Sequence, residues 1–285
     1  MKKQVVLKNI RSFEPRHIFE CGQCFRWERE TGGSYTTVAC GRVINVFKKD
    51  GFIIFNNVTE EEFQDFWFDY FDFGTDYEQI KQTLSAGGEH MKKAVDYGGG
   101  IRILNQDLWE CVVSFIISAN NNIPRIQGIL QRLCERFGDR LSYGGKTYFA
   151  FPGPERIAGD LSYLRAGYRE QYIQNACKTF LSGSLSGIES LSTDDARKKL
   201  LTIKGVGPKV ADCILLFGLG RREVFPVDVW VKRCLNQLYG KEMKEKTPRE
   251  FAAETFGTLA GFAQQYLFYY MRDAGFNMTG GIKDA

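Results

Sequence analysis

The run Leu200-Leu201-Thr202-Ile203-Lys204-Gly205-Val206-Gly207-Pro208-Lys209-Val210-Ala211-Asp212-Cys213 admits few conformations. Ahead of it, Ser192-Thr193-Asp194-Asp195 can cap a helix that Ala196 to Ile203 carries forward. Gly205 and Gly207 flank Val206, so the backbone can turn tightly and approach another surface closely. Pro208 suits a first helical position, and Val210, Ala211, Cys213, Ile214, Leu215 and Leu216 continue an apolar helix. The spacing predicts helix, four-residue hairpin 204–207, helix. The first N–H groups of the second helix have no intrahelical partner and point outward, which suits a phosphate.

Lys209 falls in the first turn of that second helix. The positive end of the helix dipole disfavours an ammonium there, and the neutral amine is the nucleophilic form. Nineteen residues on, Phe225-Pro226-Val227-Asp228-Val229-Trp230 places Asp228 at the start of another helix. Each residue alone has a plain explanation: glycines make turns, lysines solvate and Asp caps helices. Together they are hard to dismiss as structural.

At 285 residues and 44% hydrophobic the chain can bury a core of one or two domains. A net charge of +4 permits nucleic-acid binding without arguing for it, so a basic surface must be local. Lys198, Lys199, Lys204, Arg221, Arg222, Lys232 and Arg233 crowd the hairpin in sequence. No apolar run spans a bilayer and the start lacks a signal-peptide core, so an intracellular protein with reduced thiols and no membrane partner is expected. Cys21-Gly22-Gln23-Cys24 is a lone pair without a second at zinc-finger spacing, and neither His17 nor His90 has a partner pattern; no metal is expected.

Residues 1 to about 75 read mainly as strands. Ser34 to Phe47 and Gly51 to Val58 are β-rich, with Asp50-Gly51 marking a hairpin turn, and Glu60 to Tyr70 has helical spacing. From about residue 76 only helices and turns are expected, with Gly144 to Pro154 a loop and Gly98-Gly99-Gly100 a flexible boundary. Helices are expected over Asp107 to Ala119, from Pro124 to near Phe137, briefly after the Leu164 to Arg169 turn, after Asp228, and from Gly261 to about Arg272. The expected fold class is α+β: an N-terminal antiparallel β-sheet domain over 1–97, then an all-α body over 98–285.

The hairpin with Lys209 and Asp228 resembles the helix-hairpin-helix, Gly-Pro-Asp superfamily of base-excision DNA glycosylases. Four further pieces resemble its 8-oxoguanine DNA glycosylase/AP lyases: Gly22-Gln23-Cys24-Phe25-Arg26-Trp27, Asn120-Asn121-Asn122-Ile123-Pro124-Arg125, Gly167-Tyr168-Arg169 and Gly261-Phe262-Ala263-Gln264-Gln265-Tyr266-Leu267-Phe268. They keep that family's order from Gly22 to Phe268. Two positions depart: Lys204 stands where the hairpin often has Pro, and Trp230 where related enzymes often have a His near the DNA backbone.

The resemblance implies an enzyme that excises 8-oxoguanine opposite cytosine from double-stranded DNA, through a lysine Schiff base and β-elimination, as a monomer without cofactor. Lys209 is then the nucleophile and Asp228 the essential carboxylate. Gln264 reads the Watson–Crick edge of the extruded base, Phe268 and Cys213 sandwich its ring, and the Gly22 carbonyl meets the N7–H that distinguishes the lesion from guanine. Asn120, Arg125, Tyr168 and Arg169 hold the orphaned partner base, and Lys204, Gly205, Val206 and Gly207 hold a phosphate. Phe268 is equally at home as a core residue and Gly22 as a plain turn. The alternatives are a glycosylase/lyase for another oxidised base and a non-catalytic DNA-binding module. Simple phosphate binding requires neither Lys209 nor Asp228.

Overall fold

The structure is a computed structural model that describes residues 3–243 and 247–273. Five strands, β1 (Gln4–Lys8), β2 (Trp27–Arg29), β3 (Tyr35–Ala39), β4 (Arg42–Lys49) and β5 (Phe52–Asn56), form an antiparallel sheet in the order β1-β5-β4-β3-β2. Asp50 and Gly51 both take positive φ at the β4–β5 turn, as the Asp-Gly signal requires. Cys40 and Gly41 do the same between β3 and β4, which divides the expected Ser34 to Phe47 run in two. Ile44, Val46, Ile53 and Phe55 pack on Phe13, Phe19, Phe63, Trp67 and Phe71. Those aromatic residues come from α1 (Pro15–Glu20) and its approach, and from the helical run 60–70. That run is α2 (Glu60–Glu62), a π turn over Phe63–Trp67, and α3 (Phe68–Tyr70).

The helical body comprises α4 (Tyr77–Ala86), α5 (Glu89–Tyr97), α6 (Leu108–Ser118), α7 (Ile123–Phe137), α8 (Arg169–Leu181), α9 (Thr193–Leu200), α10 (Pro208–Gly218), α11 (Val229–Met243), α12 (Pro248–Phe256) and α13 (Ala260–Asp273). α10 and α6 are apolar nearly all round and form its centre, where Cys111, Val112, Phe115, Ile214, Leu215 and Phe217 are buried. The helix after the Leu164 to Arg169 turn runs to Leu181 and is not short.

Two sequence expectations need correction. Residues beyond 76 are not all helix and turn: β6 (Arg140–Tyr143) and β7 (Lys146–Phe149) pair antiparallel, β7 within the expected 144–154 loop and β6 just before it. Gly144 and Gly145 both have positive φ, the two-residue hairpin turn that a Gly-Gly pair favours. Tyr148 joins Val38 and Val43 on the outer face of the sheet, which explains why every residue of β3 is buried. Gly98-Gly99-Gly100 is also not a slack linker. Gly100 accepts from the Glu14 amide at 3.0 Å and donates to His17 Nδ1 at 3.2 Å, and a side chain there would strike Glu14. Ahead of these glycines, α4 and α5 belong to the helical core, where Tyr77 meets Phe262 edge-on at 5.5 Å.

Candidate active site and DNA interface

The hairpin stands on three apolar anchors, Leu200, Ile203 and Val206, all buried. Ser192 caps α9, and the Val206 amide donates to the Ile203 carbonyl at 3.0 Å. From α8, Asn175 Oδ1 accepts the Lys204 amide at 3.0 Å. Gly205 is required twice over: its φ is +94°, and a Cβ would lie 2.5 Å from Tyr172. Gly207 differs. At φ −90° and ψ 179° any residue is comfortable, and a Cβ there would meet nothing within 4 Å. No side chain caps α10, so its first amides face the same open space. Gly207→Ala is therefore expected to fold with unchanged stability yet weaken binding to damaged and undamaged duplexes alike. A phosphate contact reads no base, so loss confined to lesion DNA in titrations of both would contradict this.

The crowd of basic residues expected around the hairpin is thinner than its sequence. Lys198 pairs with Asp195 at 2.9 Å, Lys199 donates to the Ser186 carbonyl, and Arg221 donates to the Glu189 and Leu191 carbonyls. Arg222 donates to Leu216 and Asn105. Lys199, Arg221 and Arg222 thereby hold neighbouring segments together, while Lys198, Lys204 and Lys232 remain exposed.

One helical turn into α10, Lys209 reaches Cys213. Its amine lies beside the Cys213 thiol, close enough to act on it, and 5.4 Å from the centre of the Phe115 ring. Burial pushes the Cys213 thiol up, and the nearby lysine offsets this only in part, so the sulfur faces the site as a neutral thiol. The Asp228 carboxylate is close enough to act on that same thiol. Asp228 Oδ1 also accepts the Val231 amide at 2.7 Å and so caps α11. Trp230 and Val229, the residues after it, are exposed.

Gly22 and Phe268, far apart in sequence, are in contact. Gly22 has φ +83°, and a Cβ there would lie 3.2 Å from Phe268 Cε1. Arg272 donates to the Glu20 carbonyl and lies over the Phe268 ring, bringing the end of α13 to this loop. Phe268 is partly buried and packs on the helical core to which Cys213 belongs. Gln264 is 5% exposed, and its Oε1 accepts from Gln265 Nε2 at 2.8 Å.

Matches to two family models cover residues 5–112 and 113–257: the N-terminal domain of 8-oxoguanine DNA glycosylase, and the HhH-GPD superfamily of base excision DNA repair proteins. The chain belongs to the 8-oxoguanine DNA glycosylase family of that superfamily. A probable N-glycosylase/DNA lyase of Methanothermobacter thermautotrophicus is 32% identical over 72% of this chain and 73% of its own. The 8-oxoguanine glycosylase/lyase of Clostridium acetobutylicum, solved with double-stranded DNA containing cytosine opposite the lesion, superposes with a TM-score of 0.90 at 42% identity, over 96% of each chain. MBOgg1, solved with a low affinity DNA ligand, reaches 0.92 at 46% identity, over 96% of this chain and 97% of its own. This glycosylase/lyase is thus an enzyme of DNA repair, and among its described residues no helix is long and apolar enough to cross a membrane.

At the corner where the glycosylase is expected to hold the orphaned base, Asn120 takes a left-handed φ of 49° and is exposed, as are Arg125 and Tyr168. Arg169 is placed otherwise. It is 3% exposed, donates through Nη2 to the Ala119 and Asn120 carbonyls at 2.6 and 3.1 Å, and stacks under Tyr168 at 4.4 Å. The carbonyls just past the end of α6 lack intrahelical partners, and Arg169, some fifty residues further on, supplies the donors.

Two supports of the site were missed in the sequence. Gln23 is fully buried with its amide saturated: Nε2 donates to the Ile18 and Arg102 carbonyls, and Oε1 accepts from the Leu104 amide, each at 2.8 Å. It anchors the Gly22 loop to the helical body. Asp212, also fully buried, receives Arg197 from α9 and Arg249 from α12, both at 3.0 Å, clamping the hairpin helices. A carboxylate inside an otherwise apolar helix was the available signal for Asp212. Nothing local marks Gln23, whose partners lie up to 81 residues away. The two cysteines beside Gln23 divide between cores, Cys21 in the helical one and Cys24 in that of the sheet.

Proposed function

We propose that this glycosylase/lyase excises 8-oxoguanine opposite cytosine in duplex DNA and nicks the strand by β-elimination. The observation that carries the reading is the convergence of Lys209, in the first turn of α10, and Asp228, at the start of α11, on the Cys213 thiol, beside a helix start that no side chain caps. In this reading the hairpin amides hold a phosphate and the damaged nucleotide turns out of the stack. The Lys209 amine bonds to C1′ as the glycosidic bond breaks, with its electron pair leaving on the base. Asp228 stabilises the positive charge developing on the sugar. Opening of the C1′–O4′ bond yields the Schiff base, which acidifies the 2′ proton; its removal expels the 3′ phosphate. The side chains named here suffice for these steps, and a single subunit acting on DNA in the cell is enough.

For the lesion, the Gly22 carbonyl offers an acceptor to the N7–H that guanine lacks, the Phe268 ring offers a stacking face, and Gln264 meets the Watson–Crick edge. For the partner base, cytosine presents adjacent acceptors at O2 and N3, and Arg125 has only donors. Adenine and guanine each put a donor on that edge, and a buried donor facing a donor costs about 1–3 kcal/mol. Excision is therefore expected to be roughly ten- to hundredfold faster opposite cytosine than opposite adenine, and Arg125→Ala to remove most of that difference. Single-turnover rates against all four partner bases check it. Equal rates opposite cytosine and adenine in the wild type would refute the pairing preference. A preference that survives Arg125→Ala would transfer the role to Asn120 or to an Arg169 turned outward.

A further inference from the structure

Adjacent residues on a helix point about 100° apart and do not ordinarily meet. On α13, Gln264 and Gln265 nevertheless hydrogen-bond through their side chains, with Gln265 Nε2 donating to Gln264 Oε1 at 2.8 Å. Both are buried, at 5% and 3% exposure, and Gln265 Oε1 has no partner. A buried amide with one end unpaired costs free energy, and such groups call for an explanation. The bond gives Gln264 a polarity: its carbonyl oxygen is turned toward Gln265 and its NH2 group away from it.

We infer that Gln265 is a specificity-determining positioning residue, which fixes the amide of Gln264 so that the pocket accepts a 6-oxo purine edge and rejects a 6-amino one. This rests on the reading of Gln264 as the residue that meets the extruded base. A guanine-type edge offers an acceptor at O6 beside a donor at N1–H, whereas an adenine-type edge offers a donor at N6 beside an acceptor at N1. A glutamine amide matches either, depending only on which way its oxygen and nitrogen are turned. Freed of a partner it can rotate to suit both. Held by Gln265, its oxygen keeps one lone pair for N1–H and its NH2 group is left for O6. Reversing Gln264 alone would set its NH2 group against the Gln265 NH2 group, donor facing donor in a buried site. Reversing both would bury two unpaired N–H donors of Gln265 where one unpaired oxygen now lies, the costlier arrangement.

The test compares 8-oxoguanine with 8-oxoadenine, both opposite cytosine. The two share the N7–H and the 8-oxo group and differ at the edge that Gln264 meets. Single-turnover excision is measured for the wild type, Gln265→Met, Gln265→Asn and Gln264→Ala. Met keeps the length and removes the donor, and Asn keeps the amide but falls one methylene short. Either variant is expected to narrow the 8-oxoguanine to 8-oxoadenine ratio by about tenfold, chiefly by losing 8-oxoguanine excision. A general packing defect would lower both rates together, so an unchanged ratio in both variants overturns the role of Gln265 provided Gln264→Ala impairs 8-oxoguanine excision. Should Gln264→Ala leave that excision untouched, the assignment of Gln264 to the base edge falls, and this inference with it.

Discussion

Lys209→Gln is expected to bind 8-oxoguanine duplex and to give no borohydride-stable adduct, with excision down on the order of a thousandfold or more. The substitution keeps the length and hydrogen-bonding reach of the side chain and removes the nucleophile. What it disturbs in the fold is small. Lys209 is only partly buried, and its contacts are the Phe115 ring at 5.4 Å and the Cys213 sulfur. The Phe115 ring is buried and the lysine partly exposed, so the cation–π contact contributes at most about 2 kcal/mol, too little to unfold the protein. Binding survives because the hairpin amides and the Gly22–Phe268 contact are untouched. The measurement is adduct yield on denaturing gels after reduction, beside a binding titration on the same duplex. An undiminished adduct in the variant would remove Lys209 from the chemistry; loss of adduct and binding together would assign it to phosphate contact.

The second large effect belongs to Asp228, for which two roles compete. Its Oδ1 accepts the Val231 amide at 2.7 Å, which is a complete explanation for an Asp at a helix start. Its carboxylate also acts electrostatically on the Cys213 thiol beside Lys209. Asn caps a helix about as well as Asp, so Asp228→Asn leaves the cap in place and removes the charge. Turnover is expected to fall about a hundred- to a thousandfold, the usual loss when a preorganised transition-state stabiliser is removed, with the melting temperature nearly unchanged. Asp228→Ala should lose about 1 kcal/mol of stability as well, since the cap goes too. Full activity in Asp228→Asn would leave Asp228 a cap and nothing more. Comparing the two variants by calorimetry and single-turnover kinetics separates the roles.

Much of the site is local, and local features are legible in a chain of residues. Ser192, Gly205, Pro208 and Asp228 each do their conformational work within a few residues of themselves, so the helix-hairpin-helix and the α11 cap follow from the string. The same holds for the Asp50-Gly51 turn and for α6, which Asp107 caps. The β6–β7 hairpin was equally local in its Gly144-Gly145 turn, but its strands are short and their partner surface, Val38 and Val43, lies a hundred residues earlier.

What tertiary structure alone decided is how side chains from distant segments satisfy one another. Sequence order kept Gly22 and Phe268 at opposite ends of the chain; they touch because Cys21 and Phe25 sink into the helical core and Gln23 ties the loop to Arg102 and Leu104. Arg169 reads as a DNA-facing arginine in sequence, yet it turns inward because the carbonyls ending α6 need its donors. Lys199, Arg221 and Arg222 are likewise drawn into contacts within the protein. Residue type and spacing determine helices, turns and caps, because those energies are set within one or two turns of backbone. Which polar group meets which, and hence which cations remain for DNA, depends on every buried donor and acceptor finding a partner across the whole fold.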